Sequence, residues 1–487
     1  MAEDQGYTRL ISAIYAREGD LAPRVAGLID AGEDPNAATD YGETPLNVAH
    51  RLGERDVVRL LLARGADPEA VGWGSLHLAV IAGDGAALAR ALPRADPMTR
   101  DRWGHTPFLA ALAVGAVDLA AALAPLTPDD GRHTLSDGAP DIVIAEQWGQ
   151  VEAVRWLLAG GRPVDAAGRY GGTALIAAAE HDHPAVVALL LEAGAALDAA
   201  QNISAFLRDL EREGDDVLDL GDAPDHVQTA MAATSSLEVA MLLLNAGAPP
   251  EAFEPDLVRR IVGADRIPAR PVPPEAFDRA RHPREGVANP EPVSEPFWEQ
   301  MVRTGLSGYV GHETFGPGTR PYEIAAVWSH DRFGMTTTML PDGRWVQIAG
   351  EHEDFYDPDF YIYNDVFLHD GRCGLTHCLY PHAVFPPTDF HTATLGDGAI
   401  WIVGNLGYPA ARKPGETPVY RLDLAELSIA AVATTGTPPG WISRHRACLE
   451  AGALIVEGGQ CWTGEALVAF EGRARLDLAA RRWTSVA

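Results

Sequence analysis

Several things are scarce in this sequence, and each scarcity excludes something. There are four cysteines in 487 residues (Cys373, Cys378, Cys448 and Cys461), all late in the chain. That is too few for a disulfide scaffold and fits a reducing, cytoplasmic setting. No apolar run approaches the roughly 20 residues needed to span a bilayer. The opening MAEDQGYTRL has no basic segment followed by an apolar one, so no secretory signal is expected. Lysine occurs once, as Lys413, a bias that fits GC-rich bacterial coding. Positive charge is short throughout, with 38 Lys and Arg against 68 Asp and Glu, for a net charge of −30. Residues 1–250 hold 37 acidic and 17 basic side chains, a balance of −20, and the remainder adds 31 − 21, another −10. Phosphate backbones and anionic lipid would be repelled by both parts, so nucleic acid and membrane are excluded as partners. A basic protein or peptide surface, or a cation, fits better. Also absent are a P-loop, a dinucleotide fingerprint, a nucleophile elbow and a zinc-protease helix. No cofactor, no metal and no catalytic residue is therefore expected.

What is present is repetition. The stretch GETPLNVAHRLGERDVVRLLLARGADPEA (42–70) sets a pattern of Thr-Pro-Leu, an apolar helix, a Leu-rich helix and then Gly. The pattern restarts at GHTPFLAALAVG, DGAPDIVIAEQWG and GGTALIAAAEHD. Equivalent positions Thr44, Gly74, Thr106, Pro140 and Thr173 are 30, 32, 34 and 33 residues apart. Thr44, Thr106 and Thr173 suit helix N-caps, and Pro45 and Pro107 suit the first turn, where a missing N–H costs nothing. Gly65, Gly194 and Gly247 follow the second helix, where a left-handed residue is wanted. Ala49, Ala79, Ala111 and Ala178 let paired helices approach closely. This resembles the ankyrin repeat, with its period of about 33. About seven repeats run from near Thr8 to Phe253, the terminal ones degenerate, with insertions around 126–137 and 202–225. The resemblance implies a concave face of hairpin fingers and short helices that grips protein partners. Tyr41, Trp103 and Tyr170 lie three residues before the capping position, with Trp73 close by. They are the candidate binding anchors on the fingertips; the competing role is packing against the next finger.

Residues 254–320 are rich in proline, as in RIPARPVPPEAF, and are expected to be a linker with one short helix in PFWEQMVRTGL.

From residue 321 the pattern turns to short apolar runs between Gly, Pro and Asp turns. RFGMTTTMLPDGRWVQIAG aligns with DFHTATLGDGAIWIVGN and with SRHRACLEAGALIVEGG, and Gly350, Gly404 and Gly458 are spaced 54 and 54 apart. Asp370, Asp423 and Asp477 occupy equivalent positions in a third strand. These segments resemble kelch blades of roughly 50 residues. His391 and His445, Tyr420 and Trp483 match residues of that motif, and Thr336 stands where the first histidine would be. Three blades cannot close a propeller, which takes about four to eight. A second copy pairing on the open blade edge as a homodimer, a covering by the linker and the repeats, or an open sheet would each resolve this.

The loop GEHEDFYDPDF (350–360) leaves the first of these blades. Glu351, His352, Glu353, Asp354, Asp357 and Asp359 form either a solvated loop loosely paired with Arg412 and Lys413, or a site for a hard cation or cationic ligand. Cys373, His377, Cys378 and His382 have no second dithiol pair at finger spacing and are assigned to blade strands. Asp389 beside His391, and Arg444 beside His445, are assigned to blade packing.

The expected architecture is an α + β multidomain chain. An ankyrin helical solenoid (1–253) is followed by a Pro-rich linker (254–320) and a kelch-like all-β partial propeller of about three blades (321–487). The expected function is a bacterial cytoplasmic protein–protein interaction scaffold, used as an effector or toxin-neutralising protein. The alternative is a metal-dependent enzyme or ligand-binding protein with its site at residues 351–359.

Overall fold

The computed structural model describes residues 8–17, 19–40, 42–127, 139–146, 148–213, 226–316, 326–353 and 360–486. The chain divides into two compact units, Met1–Ala248 and Pro249–Ala487.

The first unit is built of helix pairs. They are Arg9–Ala16 with Leu21–Asp30, Pro45–Arg51 with Arg55–Ala63, Ser75–Ala82 with Gly85–Ala91, and Pro107–Ala113 with Val117–Leu123. Asp141–Glu146 with Val151–Ala159, Ala174–Glu180 with Pro184–Glu192, and Ala230–Ala233 with Leu237–Asn245 complete the series. The threonines start the helices as their spacing predicts. Oγ1 of Thr8, Thr44, Thr106, Thr173 and Thr229 each accepts from the backbone N–H three residues on. Each such cap contributes about 1 kcal/mol. Gly65, with φ of 89°, ends a Leu-rich helix in the left-handed region, at the cost that only glycine avoids. Ala49, Ala111 and Ala178 are fully buried, as close helix approach requires. The insertion after residue 202 opens with a helix, Ile203–Glu213, and is flanked by a two-stranded antiparallel sheet, Ala200–Asn202 with Val227–Thr229.

The second unit corrects the linker expectation. Helices run over Pro255–Val262, Pro274–Ala280, Pro296–Thr304 and Gly308–Phe315. Pro255, Pro274 and Pro296 each stand in the first turn of a helix, where proline is pre-organised, so the proline density starts helices instead of preventing them. Phe277, Phe297, Trp298 and Met301 are buried. The Trp298 ring stacks on Trp328 at 5.2 Å and meets His377 at 5.3 Å, which places this helical segment against the first sheet.

Three antiparallel meanders follow, and none closes into a barrel. The first joins Thr336–Met339, Trp345–Ile348, Val366–His369 and Leu375–Leu379. The second joins Thr392–Gly396, Ala399–Val403, Val419–Asp423 and Ile429–Ala431. The third joins Arg446–Glu450, Ala453–Glu457, Arg473–Asp477 and Arg482–Val486. The first strands of the three are neighbours. Equivalent hydrogen bonds tie them together: His391 Nε2 meets Thr336 Oγ1 at 2.9 Å, and His445 Nε2 meets Thr392 Oγ1 at 3.0 Å.

Two further expectations change. The even spacing aligned Gly350 with Gly404, yet Ala349 is the residue whose N–H bonds back to its own sheet (Asp365 O, 2.9 Å), as Gly404 bonds to Pro418 O (3.0 Å). Gly350 instead reaches Thr388 O at 2.9 Å, as Asn405 reaches Ile442 O at 2.9 Å, so the first meander is offset by one residue. The open blade edge, for which a second copy, a covering or an open sheet are the alternatives, is covered on the first meander by the segment 254–320, and the third meander's edge also carries a strand of this chain. Glu291–Val293 pairs with Leu375–Leu379, and Thr435–Gly436 pairs with Arg482–Val486. Such short edge strands blunt further pairing.

Candidate functional site

The finger aromatics do not all face outward. Trp73 is 3 % exposed, and its indole N–H donates to Asp101 Oδ2 at 3.2 Å. It is withdrawn from any partner, because the ring gains burial while its polar edge keeps a hydrogen bond. Trp103 is half-buried and packs on His50 with centroids 4.5 Å apart. Tyr170 is half-buried, edge-on to Phe206 at 5.5 Å, with the Arg169 guanidinium over its ring at 5.4 Å. Asn202 N–H donates to Tyr170 O at 2.8 Å, which ties this finger to the following strand. Tyr41 lies outside the described residues.

His50 is the centre of the aromatic nest. It sits in the last turn of Pro45–Arg51, and its ring lies 4.8 Å from Trp73 and 4.7 Å from Trp148, edge-on to both. Burial, then the nearby His105, pushes its pKa down to about 3, so the imidazole is neutral. Asp101 builds the adjoining turn: its Oδ1 accepts from the N–H of Trp103 (3.0 Å) and of His105 (2.8 Å). His77 Nε2 lies 3.0 Å from His105 O. No local signal marks these residues in the sequence. His50 and Asp101 are 51 positions apart, a separation that no local pattern links.

In the second unit, the acidic stretch is only partly within the described residues; Asp354, Asp357 and Asp359 lie outside them. Glu351 is half-buried, and its carboxyl is pushed up by burial and then by Asp389 and Glu353. Glu353 is exposed. His352 is buried, with Nδ1 2.8 Å from Asp331 O, so it ties its strand to the segment preceding the first sheet. Arg412 donates to Leu406 O and Gly407 O, both at 3.0 Å, and lies over Trp462 at 5.4 Å. Lys413 pairs with Glu416 at 3.6 Å. Pairing of Arg412 and Lys413 with Asp354, Asp357 and Asp359 falls outside the described residues. His377 bonds Asp365 Oδ2 at 2.9 Å, and burial pushes the Cys378 thiol up to about 11; these two are built into the strand Leu375–Leu379, whereas Cys373 and His382, assigned to blade strands by the sequence, are exposed and lie outside it. Asp365 is further held by Arg332, whose side chain is fully buried.

Residues 41–73 match the model of the ankyrin repeat, and residues 109–201 match the model of ankyrin repeats in three copies. Over 103 residues the chain is 37 % identical to cyclin-dependent kinase 4 inhibitor B of Bos taurus, covering 20 % of this chain and 76 % of that protein. The chain belongs to the ankyrin-repeat family. The putative ankyrin repeat protein YahD of Escherichia coli is 35 % identical over 63 residues, 12 % of this chain and 31 % of its own. The 2-5A-dependent ribonuclease of Mus musculus is 47 % identical over 60 residues, 12 % of this chain and 8 % of its own. The chain thus spans well under two thirds of those two relatives. Among solved structures, the human ASB11 ankyrin repeat domain aligns with 50 % of this chain and all of its own, at 21 % identity and a TM-score of 0.28. The matched ankyrin segments all fall within the first unit.

Proposed function

We propose that this chain is a protein-interaction scaffold, in which the ankyrin unit grips a basic protein or peptide. The observation that carries the reading is the ankyrin unit itself: successive capped helix pairs hold finger residues on rigid elements. The bovine relative is named for inhibiting a kinase, an action directed at another protein, which supports the same use here. Net charge of −20 over residues 1–250 favours a basic partner and fast, salt-sensitive association. Tyr170, half-exposed and held from behind by its backbone bond to Asn202, is the anchor best placed to meet it. The β-rich unit extends the proposal: its three meanders are kelch-like blades of a partial propeller, and their loops offer a second surface. A bacterial cytoplasmic setting, with an effector or toxin-neutralising task, is its narrowest form. The test is affinity capture by the whole chain, compared with a variant carrying Arg169→Ala and Tyr170→Ala. A partner that elutes as salt is raised and is lost from the variant supports the reading. Capture no different from blank beads sinks it.

A further inference from the structure

The nest around His50 holds more than packing explains. Among the described residues, one group of three His, Cys, Asp or Glu side chains brings its ligand atoms within 4.8 Å of one another: His50, Asp101 and His105. All three are buried, at 3 %, 7 % and 4 % exposure. His50 Nε2 and both ring nitrogens of His105 make no hydrogen bond among the described residues, although buried polar atoms nearly always do. A neutral imidazole carries one N–H and one lone pair, so His105 buries at least one lone pair without a partner beside this carboxylate, a costly arrangement unless something accepts it.

We propose that His50, Asp101 and His105 bind one divalent transition-metal ion of the zinc class inside the ankyrin unit. Zinc bonds nitrogen and oxygen at roughly 2.0–2.2 Å, which puts tetrahedral ligand atoms about 3.4 Å apart. His105 Nδ1 already lies 3.4 Å from Asp101 Oδ2. The His50 ring needs only a small swing to join them, within the 4.8 Å that separates the group at its widest. The carboxylate is oriented as metal-binding carboxylates are: Trp73 Nε1 donates to Oδ2, and two backbone N–H groups hold Oδ1. Two imidazoles and one carboxylate, with no thiolate, suit zinc and its neighbours better than soft monovalent copper or hard calcium. The tryptophans packed on His50 keep bulk water away and deny room for a large coordination shell, leaving the fourth tetrahedral position to a single water. The ion would pin the turn before Thr106 to the helix Pro45–Arg51, a cross-link between different helix pairs, and would stabilise the unit by binding the folded state alone.

The test uses the whole chain, stripped with a chelator and titrated with Zn²⁺ and, separately, Co²⁺. One equivalent should bind, the melting temperature should rise with metal, and bound cobalt should show tetrahedral visible bands without a thiolate charge-transfer band. His50→Gln and His105→Gln should each weaken binding roughly 10-fold or more, while Cys373→Ser, at an exposed thiol, should leave it unchanged. Should either histidine variant fail to fold, the cobalt spectrum of the parent chain decides. No stoichiometric binding, a thiolate band, or unchanged affinity in folded variants would each overturn the assignment.

Discussion

Replacing Arg332 by methionine should be among the most damaging single changes in the second unit. The guanidinium is fully buried, and Asp365 beside it is 2 % exposed. Nη2 bonds Asp365 Oδ2 at 3.0 Å, Nε donates to Ser329 O at 2.7 Å, and Nη1 donates to Ala349 O at 3.1 Å. The Tyr363 ring centroid lies 3.4 Å from the guanidinium carbon. Methionine keeps the apolar stem but strips Asp365 of its strongest partner and leaves His377 alone to hold a buried carboxylate. Removing one member of a buried pair costs about 3–5 kcal/mol, whereas removing both charges is close to neutral. The single variant should therefore lose about 4 kcal/mol, and adding Asp365→Asn should restore a large part of it. Burial raises the Asp365 pKa, but Arg332 and the His377 hydrogen bond outweigh it and hold the carboxyl well below its ordinary range. Its stabilisation is thus present above about pH 4 and is lost as pH falls further, so the penalty of Arg332→Met should shrink in acid. Urea denaturation, with hydrogen exchange read on peptides spanning 326–380, measures the effect in the intact chain. A cost below about 1 kcal/mol, or a double variant as weak as the sum of the two singles, would refute the reasoning.

Three more outcomes can be checked directly. His50 and His391 are pushed by burial to about 3, and His369 and His445 to about 4, all below the ordinary 6.5. Between about pH 6.5 and 4 the unfolded chain therefore takes up protons that the folded chain refuses, and stability should fall by about 1.4 kcal/mol per pH unit for each histidine; a melting temperature flat over that window would contradict it. Gly404→Ala should cost about 2 kcal/mol in denaturant, since φ is 78° and the new Cβ would meet the Ile442 carbonyl oxygen. Trp103→Ala should lower stability by about 2 kcal/mol because its ring packs on His50, whereas Tyr170→Ala should cost less than about 1 kcal/mol and chiefly weaken partner capture; equal stability losses would erase that distinction.

The ankyrin repeats were legible in the sequence because their signals are local. Thr44, Thr106 and Thr173 cap the N–H three residues on, and Gly65 takes a left-handed turn just after its helix, so each clue and its consequence share one stretch of chain. The alternation of short strands and turns after residue 326 belongs to the same class. Other features depended on which surfaces meet. Prolines at 255, 274 and 296 suggest an open linker, yet Trp298 packs against Trp328; a short helix is worth little until its apolar face is covered. Regular glycine spacing suggested one register, while the backbone bonds of Ala349 and Gly350 chose another by a single residue. Trp73 carries the same residue type whether it grips a partner or packs inward; its bond to Asp101 decided for packing. The sequence by itself determined where the ankyrin helices begin and what they repeat, since caps, turns and periodicity act over three or four residues. Only the tertiary structure brought His50 to Asp101 and His105, and Arg332 to Asp365 and His377, because burial and charge pairing act between surfaces that the order of residues leaves far apart.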